Sequence, residues 1–351
     1  MKIFYGYKDL AGKLKDPIVA IGIFDGIHIG HKRIIKKVLN AAAPGSDRVI
    51  LTFDPHPQSV LRPDKEAQRI MSTEHRLFIF EKMGLDAAVV INFTPSFAMM
   101  SPEDFVKRVL NGMGARKVYV GGNFHFGKGK KGDVRFFREV SARYGVEVEA
   151  VRPVKKRGKT VSSTWLRQLI RKGDIAKAEK LLRRPVSIFG TVVSGDKRGT
   201  ALGIPTANID PHHEVVPPSG VYAVKADLDG ALHDGVMNIG FKPTFYGNAL
   251  KKRKEPVMEV HLLDRVDDLY GKTMEIFFIQ KLRSEKKFRD EQKLTRQITK
   301  DIRSAQKALT NKKAIRKIQK YKYLVHRSIP RTEDPFFYKK GEGQGGGAGC
   351  K

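Results

Sequence analysis

Residues 19–31 run Val19-Ala20-Ile21-Gly22-Ile23-Phe24-Asp25-Gly26-Ile27-His28-Ile29-Gly30-His31, and their reading decides the first half of the chain. The opening apolar run reads as a buried parallel strand that ends near Ile23. Glycines follow at 22, 26 and 30, where the backbone must bend or come close to a ligand. From Lys32 to Leu39 the apolar residues fall at helical spacing, so strand, turn and helix succeed one another. His28 and His31 stand three apart at the helix start and share one face. Helix amides lack partners there and the dipole is positive, so two imidazoles beside them make a place for phosphate.

The surrounding composition narrows the setting. A chain of 351 residues implies two domains, with room for an appendage. Its formal charge of +30 calls for anionic partners, among which nucleotides, nucleic acid and acidic membranes all qualify. One cysteine, Cys350, excludes an internal disulfide and a cysteine metal cluster. Met1 to Leu10 carries charges without an apolar segment, so it does not read as a signal peptide. No uninterrupted apolar run approaches the roughly 18–20 residues of a membrane span. The expectation is a soluble, cytoplasmic protein.

Strand-like runs at Ile18–Ile23, Arg48–Phe53, Ala87–Phe93, Lys117–Gly121 and Val146–Val151 alternate with helical patterns. Helix starts are marked by Ser72 or Thr73 before Glu74, and by Ser101-Pro102-Glu103. That order predicts a doubly wound, Rossmann-like parallel sheet, with ligands beyond the carboxyl ends of its strands. Distinctive residues fall at those ends. After the second strand comes Thr52-Phe53-Asp54-Pro55-His56-Pro57, whose prolines are expected to hold Asp54 and His56 outward. After the fourth comes Gly121-Gly122-Asn123-Phe124-His125-Phe126-Gly127-Lys128, with aromatics to stack on a planar ring and lysines for phosphate. In Val161-Ser162-Ser163-Thr164-Trp165-Leu166-Arg167, Ser162 or Ser163 caps a helix that presents hydroxyls and amides, with Arg167 one turn on.

The motifs GIFDGIHIGH, TFDPHP, GGNFHFGKGKKGD and VSSTWLR, in that order, resemble the adenylyltransferase half of the bacterial bifunctional riboflavin kinase/FAD synthetases. The resemblance implies transfer of an adenylyl group from ATP to the phosphate of FMN, giving FAD and pyrophosphate. It assigns Gly22, Phe24, Asp25, His28 and His31 to ATP, with His28 and His31 catalytic. Ser162, Ser163, Thr164 and Arg167 would close on the leaving pyrophosphate. Asp54, His56, Asn123, Phe124 and Phe126 fall on the flavin side. Ile23 departs from the pattern, since relatives often carry a small polar residue there.

Gly173 ends the capped helix and a second runs from Asp174 to Leu182. Past Arg184-Pro185 the pattern changes to short alternating segments at Val186–Val193, Gly220–Leu228, Gly235–Ile239, Val257–Leu263 and Thr273–Lys281. They predict a small antiparallel barrel, followed by a helix over about Glu285 to Leu309. The loop Gly190 to Asn208 contains Gly195, Lys197, Arg198 and Gly203, suited to folding over phosphates but without P-loop spacing. Thr206 and Asn208, two apart, lie on one side of an extended segment and offer oxygen ligands for Mg²⁺.

GTALGIPTANI, PPSGVYAV, MNIGFKPTF, MEVHLLD, DLYG and KLRSEKKF resemble the riboflavin kinase half of the same family. The resemblance makes Glu259 the base that takes a proton from the ribityl hydroxyl, and places Arg283 near the flavin. Gly195, Lys197, Gly203, Thr206 and Asn208 fall to ATP, with Mg²⁺ at Thr206 and Asn208. Thr200 and Arg183 depart from the pattern, where an arginine and a glycine are common. The expected division is 1–184 for adenylyl transfer, 185–309 for the kinase, and 310–351 as a basic, then glycine-rich extension. Two alternatives stand beside this reading. One is a nucleotidyltransferase for another phosphate acceptor, or retention of only one activity; the other is nucleic-acid binding through the charge of the tail.

Overall fold

The computed structural model describes residues 1–62, 68–195, 204–245, 252–264, 269–286, 288–310, 315–316 and 318–319. In its first half, β1 (Lys2–Tyr5), β2 (Ile18–Ile21), α1 (Ile29–Ala41), β3 (Arg48–Asp54), α2 (Pro57–Leu61), α3 (Thr73–Lys82) and β4 (Ala87–Asn92) follow in order. Next come α4 (Pro95–Ala98), α5 (Pro102–Phe105) with a π-turn over Val106–Asn111, β5 (Lys117–Gly121), α6 (Val134–Ala142) and β6 (Glu147–Val151). The six strands form one parallel sheet in the order β1-β4-β3-β2-β5-β6. A short hairpin, β7 (Lys155–Lys156) and β8 (Lys159–Thr160), leads into α7 (Ser163–Arg171) and α8 (Ile175–Leu182).

The apolar strands are buried because both sheet faces are covered, and residues alternate between two cores. Ala20, Ile50, Ala88 and Val90 face α1, α3, α7 and α8. Val19, Ile21, Leu51 and Val89 face the α5 segment and α6. The first core continues without interruption into the second half of the chain, through Val186, Ile188, Val215 and Tyr222.

There β9 (Ser187–Val193), β10 (Ala207–Asp210), β11 (Gly220–Leu228), β12 (Ala231–Phe245), β13 (Lys252–Leu262) and β14 (Thr273–Arg283) close into an antiparallel barrel, ordered β10-β13-β12-β11-β14-β9. A final helix, α9 (Glu291–Leu309), lays Ala305 and Leu309 against Val221, Ala223 and Val236. The fold class read from the sequence is the one found. Among the described residues, no helix is long and apolar enough to cross a membrane.

Several boundaries move for physical reasons. Strand β1 escapes the sequence reading because its four residues, Lys2 to Tyr5, are only partly buried at the sheet edge. Strands β12 and β13 extend past Pro243 and Pro256, which interrupt the sequence pattern; the ladder still pairs Phe241 with Pro256 and Phe245 with Lys252. Helix α9 starts at Glu291 rather than Glu285, because the Asp290 carboxylate accepts from the Lys293 amide at 2.8 Å and sets the N-cap.

Arg183 closes α8 with φ +53°, a left-handed conformation that glycine adopts without steric cost. Replacing it removes that steric cost: Arg183→Gly is expected to raise stability by about 1 kcal/mol. A higher urea midpoint at unchanged slope checks this.

Candidate active sites

The loop after β2 owes its shape to two side chains held where glycine is usual, Phe24 at φ +54° and Ile27 at φ +41°. Both are fully buried, so packing supplies what the backbone loses. Phe24 lies edge-on to the His31 ring at 5.4 Å and to Phe80 at 5.7 Å. Its ring is therefore a floor beneath the loop, which leaves the backbone of Phe24 as the part of this residue that can face ATP. Gly26, at φ +83°, leaves no space for a Cβ, which would stand 2.9 Å from Leu166.

Asp25 is also buried, and it faces inward. Its Oδ1 accepts from the Ile70 and Met71 amides at 2.8 and 3.1 Å, and its Oδ2 from Arg167 Nε at 3.4 Å. Ser163 donates to the Asp25 carbonyl at 2.8 Å. Burial lifts the Asp25 pKa above the usual carboxylate range, against the pull of Arg167, Arg76 and the two amides. The motifs around Asp25 and Arg167 thus meet through a buried carboxylate.

His28 is the N-cap of α1: its Nδ1 accepts from Gly30 N at 3.2 Å and His31 N at 3.3 Å. Two of the amides expected to stay free for phosphate are taken by His28 itself. Because Nδ1 accepts, the ring proton sits on Nε2 and is available to a ligand. The His28 and His31 rings stack at 3.7 Å and 19°. Burial holds His28 down to about 4. His31 lies well below the ordinary imidazole value, through burial first, then the charges of His28 and Arg76. His31 Nδ1 is buried with no hydrogen-bond partner among the described residues. Ser162 caps α7 by accepting from Trp165 N at 3.3 Å, while Thr164 on its first turn is exposed.

On the expected flavin side the structure separates the residues. His56 is buried, not outward: it caps α2 by accepting from Gln58 N at 3.1 Å. Burial, then the charges of Arg167, Arg69 and Arg76, lower its pKa to about 4. Asp54 at the end of β3 pairs with Arg69 at 2.8 Å. Phe126 belongs to the core, packed against Phe137 at 4.6 Å and Phe105 at 5.5 Å, so it is no ring-stacking surface. Asn123 is exposed and Phe124 half-buried, both just past β5 and across the switch point from β2.

Arg76 was missed by the sequence reading. It is buried and donates to Ile23 O at 2.6 Å, Thr52 Oγ1 at 2.7 Å and Thr73 Oγ1 at 2.7 Å. Its signal was a cation on the inward face of the helix over 73–82. The Ile23 position acts here through its carbonyl, which Arg76 and Thr52 both engage.

In the barrel, the candidate residues fall on one rung. Asn208 pairs with Glu259 across β10 and β13, and Glu259 with Asn238 across β13 and β12. Asn238 pairs with Val221, and Val221 with Arg283. Directly paired residues of antiparallel strands project to the same face, so the expected magnesium ligand and the expected base are neighbours. Asn238 was not singled out in the sequence; only the register reveals it. A Cβ on Gly195 would collide with the Asn208 side chain, so the glycine lets the backbone after β9 pass close to it. His261 donates from Nδ1 to Pro205 O at 2.7 Å and anchors the run containing Thr206.

Arg283 is held within the protein: Nε and Nη2 fork onto Asp301 of α9 at 2.8–3.0 Å, and Nη1 donates to Ser284 O. Beside it, a cleft of about 450 Å³ is lined by Phe288 and the cations Lys286, Arg289, Lys293, Arg296 and Lys300. Lys197, Gly203 and Thr200, like residues 320–351, lie outside the described residues.

A parallel sheet with paired imidazoles at its switch point, joined to a barrel that aligns an amide with a carboxylate, describes a two-centre phosphate-handling protein. Family models agree with each half: FAD synthetase matches residues 11–165 and riboflavin kinase residues 182–309. A bifunctional riboflavin kinase/FMN adenylyltransferase of Bacillus subtilis (strain 168) is 36% identical, over 84% of this chain and 93% of its own length. That of Pseudomonas fluorescens is 34% identical, over 87% and 97%. The crystal structure of a macrolide-efflux protein from Streptococcus pneumoniae superposes with TM-score 0.71 at 27% identity, covering 87% of this chain and 99% of that one. The chain belongs to the bifunctional riboflavin kinase/FMN adenylyltransferase family.

In the free protein His28 stays neutral until about pH 4. Because its folded pKa lies below the unfolded value, its contribution to stability is complete above about pH 6.5 and fades as pH falls through 4. A bound phosphate favours the imidazolium, so ATP binding at pH 5–6 is expected to take up protons; calorimetry in buffers of different ionisation enthalpy measures this.

Proposed function

We propose that the two halves catalyse consecutive steps of flavin cofactor synthesis. The barrel phosphorylates riboflavin with ATP to give FMN, and the parallel-sheet unit transfers the adenylyl group of a second ATP to FMN, releasing pyrophosphate and forming FAD. The units are assigned to residues 1–184 for adenylyl transfer and 185–309 for the kinase, with 310–351 as an extension. One observation carries the reading: a single chain holds both the His28/His31 pair at a sheet switch point and the Asn208–Glu259 pair on a barrel rung.

In adenylyl transfer, a phosphate oxygen of FMN attacks the α-phosphorus of ATP as the bond to the pyrophosphate oxygen breaks. The nucleophile comes from the substrate, so the protein supplies position and charge. His28 offers Nε2–H to the phosphates, and the stacked His31 adds a second donor. Arg167 and Thr164, on the first turns of α7, are placed to meet the leaving pyrophosphate. Asn123 and Phe124 support the flavin phosphate and ring.

In the kinase step, Glu259 takes the proton of the ribityl hydroxyl as its oxygen bonds to the γ-phosphorus and ADP departs. Among the described residues no cluster of three or more His, Cys, Asp or Glu side chains is placed to hold a metal. Oxygen donors from Thr206 and Asn208, completed by phosphate oxygens and water, fit Mg²⁺, which needs few protein ligands. When bound, Mg²⁺ neutralises charge on the transferring phosphates. Gly195 and His261 keep this strip of backbone in place.

His28→Ala is expected to lower FAD formation from FMN by about 100-fold or more while FMN formation continues. Glu259→Ala does the reverse, on the order of 100-fold. Incubation with riboflavin, ATP and Mg²⁺, followed by separation of FMN and FAD, reads both; a change under about threefold in the assigned step, less than 1 kcal/mol, rejects that assignment. Gly195→Ala pushes on Asn208 and is expected to slow only the kinase, by about tenfold.

A further inference from the structure

Between Arg69 and Arg76 the chain alternates between two partners. Towards the barrel, Val215 N donates to Arg69 O at 2.7 Å, and Ser72 N donates to Glu214 Oε1 at 2.6 Å. His75 bonds Glu214 through Nδ1 at 3.1 Å and Glu275 through Nε2 at 3.2 Å. Towards the sheet, Ile70 N and Met71 N hold Asp25, Arg69 holds Asp54, and Arg76 holds Ile23 O and Thr52. The backbone of 69 and 72 and the side chain of 75 serve the barrel; 70, 71 and 76 serve the loop that carries His28, and the Arg69 side chain holds the end of β3 beside it.

The barrel end of this connection is built for rigidity. His75 is 0% exposed, Glu275 1% and Glu214 3%. Glu214 also accepts from Phe189 N at 3.1 Å, and Glu275 from Ser187 Oγ at 2.6 Å. Lys82 approaches Glu275 at 4.0 Å, and the Phe189 ring stacks on His75 at 5.7 Å. A buried carboxylate is tolerated only when its oxygens are satisfied, and removing one partner leaves the others exposed to that cost.

We propose that Glu214 and Glu275, acting through His75, make the barrel a positioning element for adenylyl transfer, with residues 69–76 as the strut between them. The proposal rests on the function assigned above to the sheet unit. The strut fixes Asp25 and Ile23, the two points from which the nucleotide loop hangs, so the loop's geometry depends on a surface outside its own sheet. Glu214→Gln keeps the size of the side chain but turns one of its acceptors into a donor that opposes an N–H.

The test uses the full chain with Glu214→Gln and, separately, Glu275→Gln. Three quantities are measured: FAD formation from FMN, FMN formation from riboflavin, and hydrogen exchange of the Ile70 and Met71 amides. The expected result is a fall of about tenfold or more in kcat for FAD formation, a kinase rate within about twofold of wild type, and faster exchange at Ile70 and Met71 with β2 and β3 unchanged. FAD formation within about twofold of wild type overturns the proposal, whatever the exchange shows. So does a fall without faster exchange at Ile70 and Met71, or a loss of both activities with exchange rising throughout. If one variant does not fold, the other and Phe189→Leu, which removes the ring stacked on His75, decide. If wild-type protein forms no FAD, the assigned activity fails, and exchange at Ile70 and Met71 alone decides the strut.

Discussion

The buried carboxylate of Asp25 is the constraint on which the N-terminal site depends. It gathers two backbone amides from the entry to α3 and a guanidinium from α7 onto one side chain. Two stretches distant in sequence are thereby fixed about a single loop. With that loop held, Phe24 and Ile27 are kept in left-handed backbone conformations, and His28 is delivered as the cap of α1. Desolvating a carboxylate is costly, and the directed hydrogen bonds offset that cost while imposing one geometry. The loop is organised from beneath, by a carboxylate buried among its partners.

The barrel reaches a comparable end by other means. No strained turn gathers its polar residues; the ladder does. Register places Asn208, Glu259 and Asn238 side by side on adjacent strands, and closure leaves that register little freedom to slip. Gly195, just past β9, brings its backbone up against the Asn208 side chain. One chain thus gathers its polar residues in two ways, at a helix start and on a strand rung.

Much of this was legible in the sequence. Alternation of apolar runs with capped helices announced the parallel sheet, and short alternating segments announced the barrel, because burial on two faces and on one leaves different periodicities. The paired imidazoles were legible because glycine, histidine and helix start occur together. What stayed hidden was long-range. That Asp25, His56, Phe126 and Arg283 look inward or pair within the protein follows from neighbours far along the chain, as does the buried part played by Arg76. Residue type alone does not separate a ligand contact from the support beneath it. The early start assigned to α9 failed for a local reason, since Asp290 is the capping residue and Glu285 precedes it by a full turn and more.

Closure of the barrel has one more consequence. Among the described residues, the parallel sheet offers outward-facing backbone at β1 and β6, and both carry charge: Lys2 on one, Glu147 and Glu149 on the other, the latter two paired with Lys117. Charged side chains on the outermost strands discourage a second molecule from adding its own strand there. A chain with two extensive apolar sheets is in this way guarded against fibre-like self-association, by its margins and not by its interior.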